Sequence, residues 1–386
     1  MPGEYRYHLP ERQDRYSPTG ISPAVDVLRP HQGEVASGEA AITVIMPAYN
    51  CRTTIQSSLW PLLQMQCRGE ISEVIVVDDG STDGTAEAAS ASGARVISCG
   101  SRRGQAAARN LGAQEAAGDI LWFVDADVVP KIDAARHVRQ ALASRDYAAV
   151  FGSYDDSPPA RNFLSQYKNL AHHHYHQNVR RDVSTFWTGC GAVWKDAFLA
   201  VGGFDPNRPS IEDIEFGYRL RATGGRIRQV PELQGTHLKV WTFRGLMITE
   251  LRDRAVPWAF LLLSRGGGAG DELNVAMTER FRALVACLCV VSLAASLTGL
   301  VPWWLPIVPL VTAFAANLEL FALFQRRNGL LFAIRGMLFH QFYYLYSTAA
   351  YCWCWAVTKK ESSFRAPPPH CGRLAFPSKS VPPYSS

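Results

Sequence analysis

The 386-residue chain has no Cys-x-x-Cys pair, no Lys/Arg run, no low-complexity tract and no internal repeat. Its nine cysteines are scattered and odd in number, and Cys352 and Cys354 lie inside an apolar stretch. That pattern excludes a disulfide framework and suits buried thiols in a reducing compartment. The formal net charge is only +5. Without a basic run or zinc-finger spacing, nucleic acid is not an expected partner. The opening stretch MPGEYRYHLPERQDRYSPTG contains no apolar core, so it does not read as a signal peptide. Residues 1–40 are polar, and their composition is that of a disordered leader.

From Ala41 the pattern is α/β. AITVIMP, EVIVVDDG, ARVISCG and DILWFVDAD read as four strands, separated by helical stretches at Arg52–Met65, Thr85–Ser92 and Gly104–Ala117. Strands alternating with helices indicate parallel βαβ units whose sheet is covered on both faces. Ligands of such sheets bind at the carboxyl ends of the strands. Polar residues fall at those ends here: Tyr49 and Asn50, Asp78 and Asp79, Arg102 and Arg103, Asp125 and Asp127. Beyond Gly152 the pattern loosens. Arg161–Val179 reads as a helix, FWTGCGAVWKDAFLAVGGF mixes strands and turns, and SIEDIEFGYRLRATG is a helix closed by glycine.

The last third is membrane-like. Ala283–Val301 is uncharged and apolar, VPWWLP is a break, and Ile307–Phe324 carries only Glu319. Each run approaches the ~20 residues that span a bilayer. Gly329–Val357 is a third, aromatic segment containing Arg335 and His340, which would span or lie partly in the interface. Between Thr242 and Arg265, Arg alternates with apolar and aromatic residues, as in an amphipathic interfacial segment. The expected organisation is therefore a leader over 1–40, a catalytic domain over 41–242, a connector over 243–280, a membrane region of two or three helices over 281–358 and a disordered tail over 359–386.

Several clusters carry chemistry. Asp125 and Asp127, read as strand residues, share one face and would converge on a hard cation such as Mg²⁺ or Mn²⁺, which also binds substrate phosphates. Equally, they would simply end the strand in a solvated turn. Asp78 and Asp79 would accept hydrogen bonds from a base or a ribose, or serve the turn before a helix. Glu212 and Asp213 read as an acidic helix N-terminus, followed by a surface Glu215–Arg219 pair. The turn Thr188–Gly189–Cys190–Gly191 allows close approach of a ligand to backbone, or is a plain tight turn. HHHYH, His172–His176, lacks carboxylates or cysteines at ligand spacing and reads as a surface or interface stripe.

MPAYN, VVDDGSTDGT, GQAAARNLG, FVDAD, GCGAVWKDAFLAVGGFD and EDIEFGYRLR, in that order, resemble glycosyltransferase family 2 over roughly Ile42 to Trp241. The resemblance implies the GT-A fold and inverting transfer from a nucleotide-diphospho-sugar. It implies that Pro47, Tyr49 and Asn50 form the first nucleotide turn. Asp78 and Asp79 would meet uracil, and Arg109 and Asn110 would line the nucleotide pocket. Asp125 and Asp127 would be the metal-site pair, Asp127 as the direct ligand and Asp125 also near the ribose, and His237 would be a further ligand or a structural histidine. Asp213 would be the base with Glu212 beside it, and Thr188–Gly191 would lie under the sugar and acceptor. The Q-x-x-R-W motif of processive synthases is absent, and HLKVW stands in the comparable region.

The expected enzyme is thus a membrane-anchored α/β protein of GT-A fold with C-terminal transmembrane helices. Its donor would be a UDP-sugar, its cofactor Mg²⁺ or Mn²⁺, and its acceptor a lipid or lipid-linked glycan. It would be a multi-pass protein of the cell membrane with a cytoplasmic catalytic domain, where nucleotide-sugars are made. Arg326 and Arg327 agree with that orientation, whereas Lys359, Lys360 and Arg365 oppose a third span. A polysaccharide-assembling transferase is the nearest alternative. A silent nucleotide-binding scaffold is the alternative of another class, opposed by intact Asp125, Asp127 and Asp213. A nucleotidyltransferase would need a Gly-rich phosphate loop with a Lys, which MPAYNCRT lacks.

Overall fold

Short runs of β-branched and apolar residues form one side of the sheet: β1 (Ile42–Ala48), β2 (Glu73–Asp78), β3 (Arg95–Ser98) and β4 (Ile120–Val124). Helices α1 (Ile55–Cys67), α2 (Thr85–Ala91) and α3 (Gln105–Glu115) connect them. The computed structural model describes residues 39–178, 182–208, 210–264 and 276–364. All but two residues of the expected leader, and the expected tail beyond 364, lie outside them.

β1 pairs in parallel with β2 on one side and β4 on the other, and β2 pairs with β3. The chain therefore leaves β1 in one direction and returns through β4 on its other side. Loops diverge at such a switch point and leave a crevice at the strand ends. Helix–strand alternation demands strands buried on both faces. Ile42, Val44, Ile45, Met46 and the whole of Ile120–Val124 are accordingly buried.

The remaining strands are β5 (Val128–Pro130), β6 (Ala149–Tyr154), β7 (Asp182–Val183), β8 (Cys190–Trp194) and β9 (Ile227–His237). They complete a nine-stranded sheet in the order β3-β2-β1-β4-β8-β6-β9-β5, with β7 also on β9. β8 runs antiparallel to both β4 and β6. β9 pairs in parallel with β6 and antiparallel with β5. Helices α4 (Ala134–Leu142), α5 (Phe163–Gln177), α6 (Lys195–Ala200) and α7 (Glu212–Ala222) belong to the same unit. Phe216 of α7 meets Phe186, Phe198 and Phe204 with ring centroids 5.0–5.4 Å apart. Phe204 in turn packs edge-on to Phe123 of β4 at 5.1 Å. This aromatic knot seats α7 over the sheet, with its acidic N-terminus one turn before Phe216.

The structure departs from the sequence expectation at three places. DILWFVDAD is not one strand: β4 ends at Val124, and Asp125 and Asp127 occupy the turn before β5. A chain reversal places the two carboxylates on different partners, whereas strand alternation would have aimed them together. HHHYH is not a surface stripe. His174 and His176 are buried, and the His172 ring packs, tilted, against Tyr154 and Trp187. Arg219 is likewise more than half of a surface pair, because beyond Glu215 it donates to the carbonyls of Val201 and Gly203.

A second unit begins at Phe243. α8 (Phe243–Ile248), a π-helical stretch (Thr249–Ala255) and α9 (Val256–Ser264) run on from one another. α10 (Met277–Leu297), α11 (Ile307–Ala315) and α12 (Leu318–Phe364) follow. Among the described residues α10 is the one helix long and apolar enough to cross a membrane, with mean hydropathy 1.8 and 11% of its apolar window buried. The expected second run, Ile307–Phe324, is not one helix. α11 and α12 meet at a 75° bend, so that pair counts as a span only if taken together. The expected third segment lies within α12, which bends at Gly329 (φ 83°). α12 also runs through residues 359–364, which had been assigned to the tail. Within this unit the Tyr344 hydroxyl lies 2.8 Å from Glu279 Oε2 and 3.3 Å from Asn317 Oδ1, so buried polar groups find each other.

Candidate active site

The loops at the strand ends are tied by their own polar side chains. After β1, Asn50 takes φ 48°, a left-handed conformation that Asn tolerates better than most residues. Its N–H donates to Ser81 Oγ, and its side-chain carbonyl accepts from Thr82 N–H at 2.9 Å, joining the first and second loops. Pro47 stays inside β1, opposite Val77. Tyr49 is exposed, with the Arg102 guanidinium 4.2 Å from its ring centre. Asp78 accepts from Ser81 N–H. Asp79 accepts from the N–H groups of Arg103 and Gly104 at 2.6 and 2.9 Å, which fixes the entry to α3. Both carboxylates thus shape the loops at the end of β2 and before α3. Asn110 is engaged elsewhere: its amide closes both ways on the Phe204 backbone. It braces the loop carrying Phe204, a role that the A-R-N motif did not reveal.

Arg109, one residue earlier on α3, is the centre of the arrangement. Its side chain is 2% exposed, yet it holds Asp125 Oδ1 at 2.7 Å and Glu212 Oε1 at 2.6 Å. Burial opposes its charge, but Asp125 and Glu212 more than offset this and hold the guanidinium protonated. Arg109 is therefore a link between the turn after β4 and the start of α7, where the motif suggests a nucleotide contact. Asp125 N–H donates to Gly189 O, next to the antiparallel pair Val124–Cys190. Thr188, beside it, donates from N–H and Oγ to Asp213 Oδ2 at 3.4 Å, and Ile214 N–H caps the other oxygen at 2.8 Å. Asp125, Arg109, Glu212–Asp213 and Thr188–Gly189 so form a closed circuit around the end of β4. α7 can approach this closely because Gly217 has no side chain. A Cβ there would lie 2.5 Å from Phe186 N and 2.8 Å from Ser184 O.

Burial raises the pKa of both Glu212 and Asp213, and their like charges couple them, while Arg109 pulls in the opposite direction. A carboxylate raised toward neutral pH is a better proton acceptor than an ordinary one. Of TGCG, only Thr188 touches Asp213. Cys190 and Gly191 are already strand β8, and burial pushes the Cys190 thiol up to about 12. That thiol is packing, not chemistry.

Asp127 stands on the other side of the turn. Val128 faces His237 in the β5–β9 ladder, and Leu238 N–H donates to Asp127 O at 2.8 Å. This register brings His237 Nε2 to 3.5 Å from Asp127 Oδ2. Burial works against the Asp127 charge, but His237 and then Lys239 outweigh it, so its carboxyl sits below the usual range. No group of three or more His, Cys, Asp or Glu side chains gathers in metal-binding geometry among the described residues. Asp127 and His237 fit a divalent ion as two donors, and Asp125 does not join them because Arg109 holds it. Two protein donors with substrate oxygens completing the shell is a usual arrangement for such ions beside phosphates.

The Glycosyl transferase family 2 model matches residues 43–202. The glucosyl-3-phosphoglycerate synthase of Mycobacterium tuberculosis is 39% identical over 108 residues, 25% of this chain and 32% of that protein. The glycosyltransferase AglE of Haloferax volcanii is 35% identical over 207 residues, 51% of this chain and 66% of that one. The chain thus spans about a third of the length of the curated relatives that it matches first. The mannosyltransferase PcManGT of Pyrobaculum calidifontis, solved with GDP-Man and Mn²⁺, superposes with a TM-score of 0.57 at 22% identity. That likeness covers 86% of this chain and 92% of that one, and shows a common fold. With its parallel β3-β2-β1-β4 strands and the ordered motifs at the strand ends, the chain carries a glycosyl transferase family 2 domain over residues 43–202 and has the GT-A fold.

Proposed function

We propose that the chain is an inverting glycosyltransferase that moves a sugar from a nucleotide-diphospho-sugar, a UDP-sugar, to a lipid or lipid-linked glycan at a membrane surface. The observation that carries the reading is the pairing, at the end of one central strand, of Asp127–His237 with the raised, Thr188-held Asp213. In this reading Asp213 accepts the proton of the acceptor hydroxyl. The hydroxyl oxygen bonds to the anomeric carbon from the face opposite the diphosphate, and the bond from that carbon to the diphosphate breaks. The diphosphate departs with the electron pair. Asp127 and His237 would hold Mg²⁺ or Mn²⁺, which when bound offsets the leaving group's charge. Thr188 and Ile214 keep Asp213 in place, and the Arg109 charge favours its ionised form against burial, which leaves it able to accept a proton.

The lipid acceptor is supported by α10, whose apolar surface is left largely uncovered, and by the exposed Trp303 and Trp304 beyond its end. A catalytic face turned to the cytoplasm follows from where nucleotide-sugars are made. Incubating the detergent-solubilised chain with radiolabelled UDP-sugars, Mn²⁺ and membrane lipid extract should yield a labelled lipid. Failure with every nucleotide-sugar and every extract would favour the silent scaffold.

A further inference from the structure

The histidine run on α5 does not touch the reacting groups, yet it stands behind one of them. Gly235 of β9 lies opposite Tyr154 of β6 in the ladder, and His237 is two residues further along the same face. The Tyr154 ring stacks on that of His237. The two rings are parallel within 6°, with centroids 4.2 Å apart. A Cβ on Gly235 would lie 2.5 Å from Val128 Cγ1, so a larger residue there must displace Val128. Behind Tyr154 the column continues. His172 lies 4.2 Å from it, His176 lies 3.9 Å beyond, and Trp187 meets Tyr154 edge-on at 4.9 Å. The column is anchored to backbone: His173 Nδ1 is 2.8 Å from Tyr154 O, and His176 Nδ1 is 3.1 Å from Gly152 O.

An imidazole ligand binds in its ring plane, so its plane must be held for the nitrogen lone pair to meet the cation. Groups that orient a ligand typically affect metal affinity by about 10- to 100-fold. We infer that Tyr154 is a positioning residue that fixes the ring plane of His237 toward Asp127, with His172, His176 and Trp187 as its backing. The inference rests on the reading of His237 as a cation ligand. It assigns the HHHYH run a function without making it a metal site.

The experiment is Mn²⁺ titration of the purified full chain with UDP, read by the electron paramagnetic resonance of free Mn²⁺, with metal-free UDP affinity measured in parallel. Tyr154→Phe keeps the ring and should bind Mn²⁺ within about two-fold of wild type, whereas Tyr154→Leu should weaken it by about 10-fold or more. Metal-free UDP affinity should stay unchanged in both, which a general loss of structure would not allow. Wild-type Mn²⁺ affinity in folded Tyr154→Leu, or a Phe variant as weak as the Leu variant, would overturn the inference. If Tyr154→Leu does not fold, His172→Leu takes its place, with weakened Mn²⁺ binding expected and wild-type binding overturning. His237→Ala separates the two levels. Unchanged Mn²⁺ binding there removes His237 as a ligand, whereas loss there with none in Tyr154→Leu removes only the column.

Discussion

Replacing Arg109 with Met should be among the most damaging single changes in the catalytic unit. The guanidinium is 2% exposed, its partner Glu212 is 1% exposed, and Asp125 is 31% exposed. Removing one member of a buried ion pair costs about 3–5 kcal/mol, because the other is left charged and unpaired. The Asp125 half contributes less, since water reaches it. Glu212 has an escape that lowers the figure. Burial, and the neighbouring negative Asp213, already push its carboxyl up to about 7, so near neutral pH it takes a proton instead of remaining a buried anion. Its Oε2, without a hydrogen-bond partner in the structure, has room to carry that proton. The expected loss is therefore near the lower end, about 3 kcal/mol, at pH 7. The sign of the pH dependence follows. An unfolded Glu ionises near about 4.3, and the folded one near 7. Between those values the folded state holds a proton that the unfolded state has released. The stability from this group is complete below about 4.3 and is lost as pH rises toward 7. Without Arg109 the folded value moves higher still, so the Arg109→Met deficit should deepen between pH 7 and pH 8. Chemical denaturation of the full chain in detergent, followed by tryptophan fluorescence, measures this. Adding Glu212→Gln should recover part of the loss. A deficit below about 1 kcal/mol at both pH values, the level of a solvated surface pair, would refute the bridging role.

Other outcomes follow from the same geometry. Because burial raises Asp213, the acid limb of kcat/KM should have its midpoint above the ordinary aspartate value of about 3.9; a limb at or below that value would remove Asp213 as the base. Asp127→Ala should abolish the Mn²⁺ enhancement of UDP binding, and UDP affinity unchanged by EDTA in the wild type would reject the cation. Gly217→Ala should cost about 1–3 kcal/mol by overpacking, because the new Cβ would face backbone at 2.5 Å. It should also lower turnover by lifting Asp213 from Thr188, and an unaltered variant would show that α7 is free to shift. Gly235→Ala should weaken Mn²⁺ binding through displacement of β5, and normal binding would show that Val128 yields.

Much of this was legible in the residues because periodicity and turn chemistry report local structure. The strand–helix alternation from Ala41 to Ala117 and the glycine end of α7, at Gly224 with φ 88°, are of that kind. What stayed hidden is what depends on pairings distant in sequence. The turn between Asp125 and Asp127 exists because β5 leaves β4 to join β9, more than a hundred residues later. Arg109 reads as part of a nucleotide motif until Glu212, 103 residues away, appears beside it. The α5 histidines look polar in sequence, and only the neighbouring Tyr154 and Trp187 rings show that they face inward. The apolar run at Ile307 looked like one span because composition does not register the bend between α11 and α12.

The most direct test is Asp213→Asn assayed for both donor binding and transfer. The substitution preserves shape and hydrogen bonding to Thr188 but removes the proton acceptor. UDP-sugar affinity with Mn²⁺ should remain at the wild-type level while sugar transfer falls by at least about 10²-fold, the usual contribution of a general base. Transfer near the wild-type rate, with the donor bound normally, would contradict the assignment of Asp213 and with it the proposed chemistry of the site.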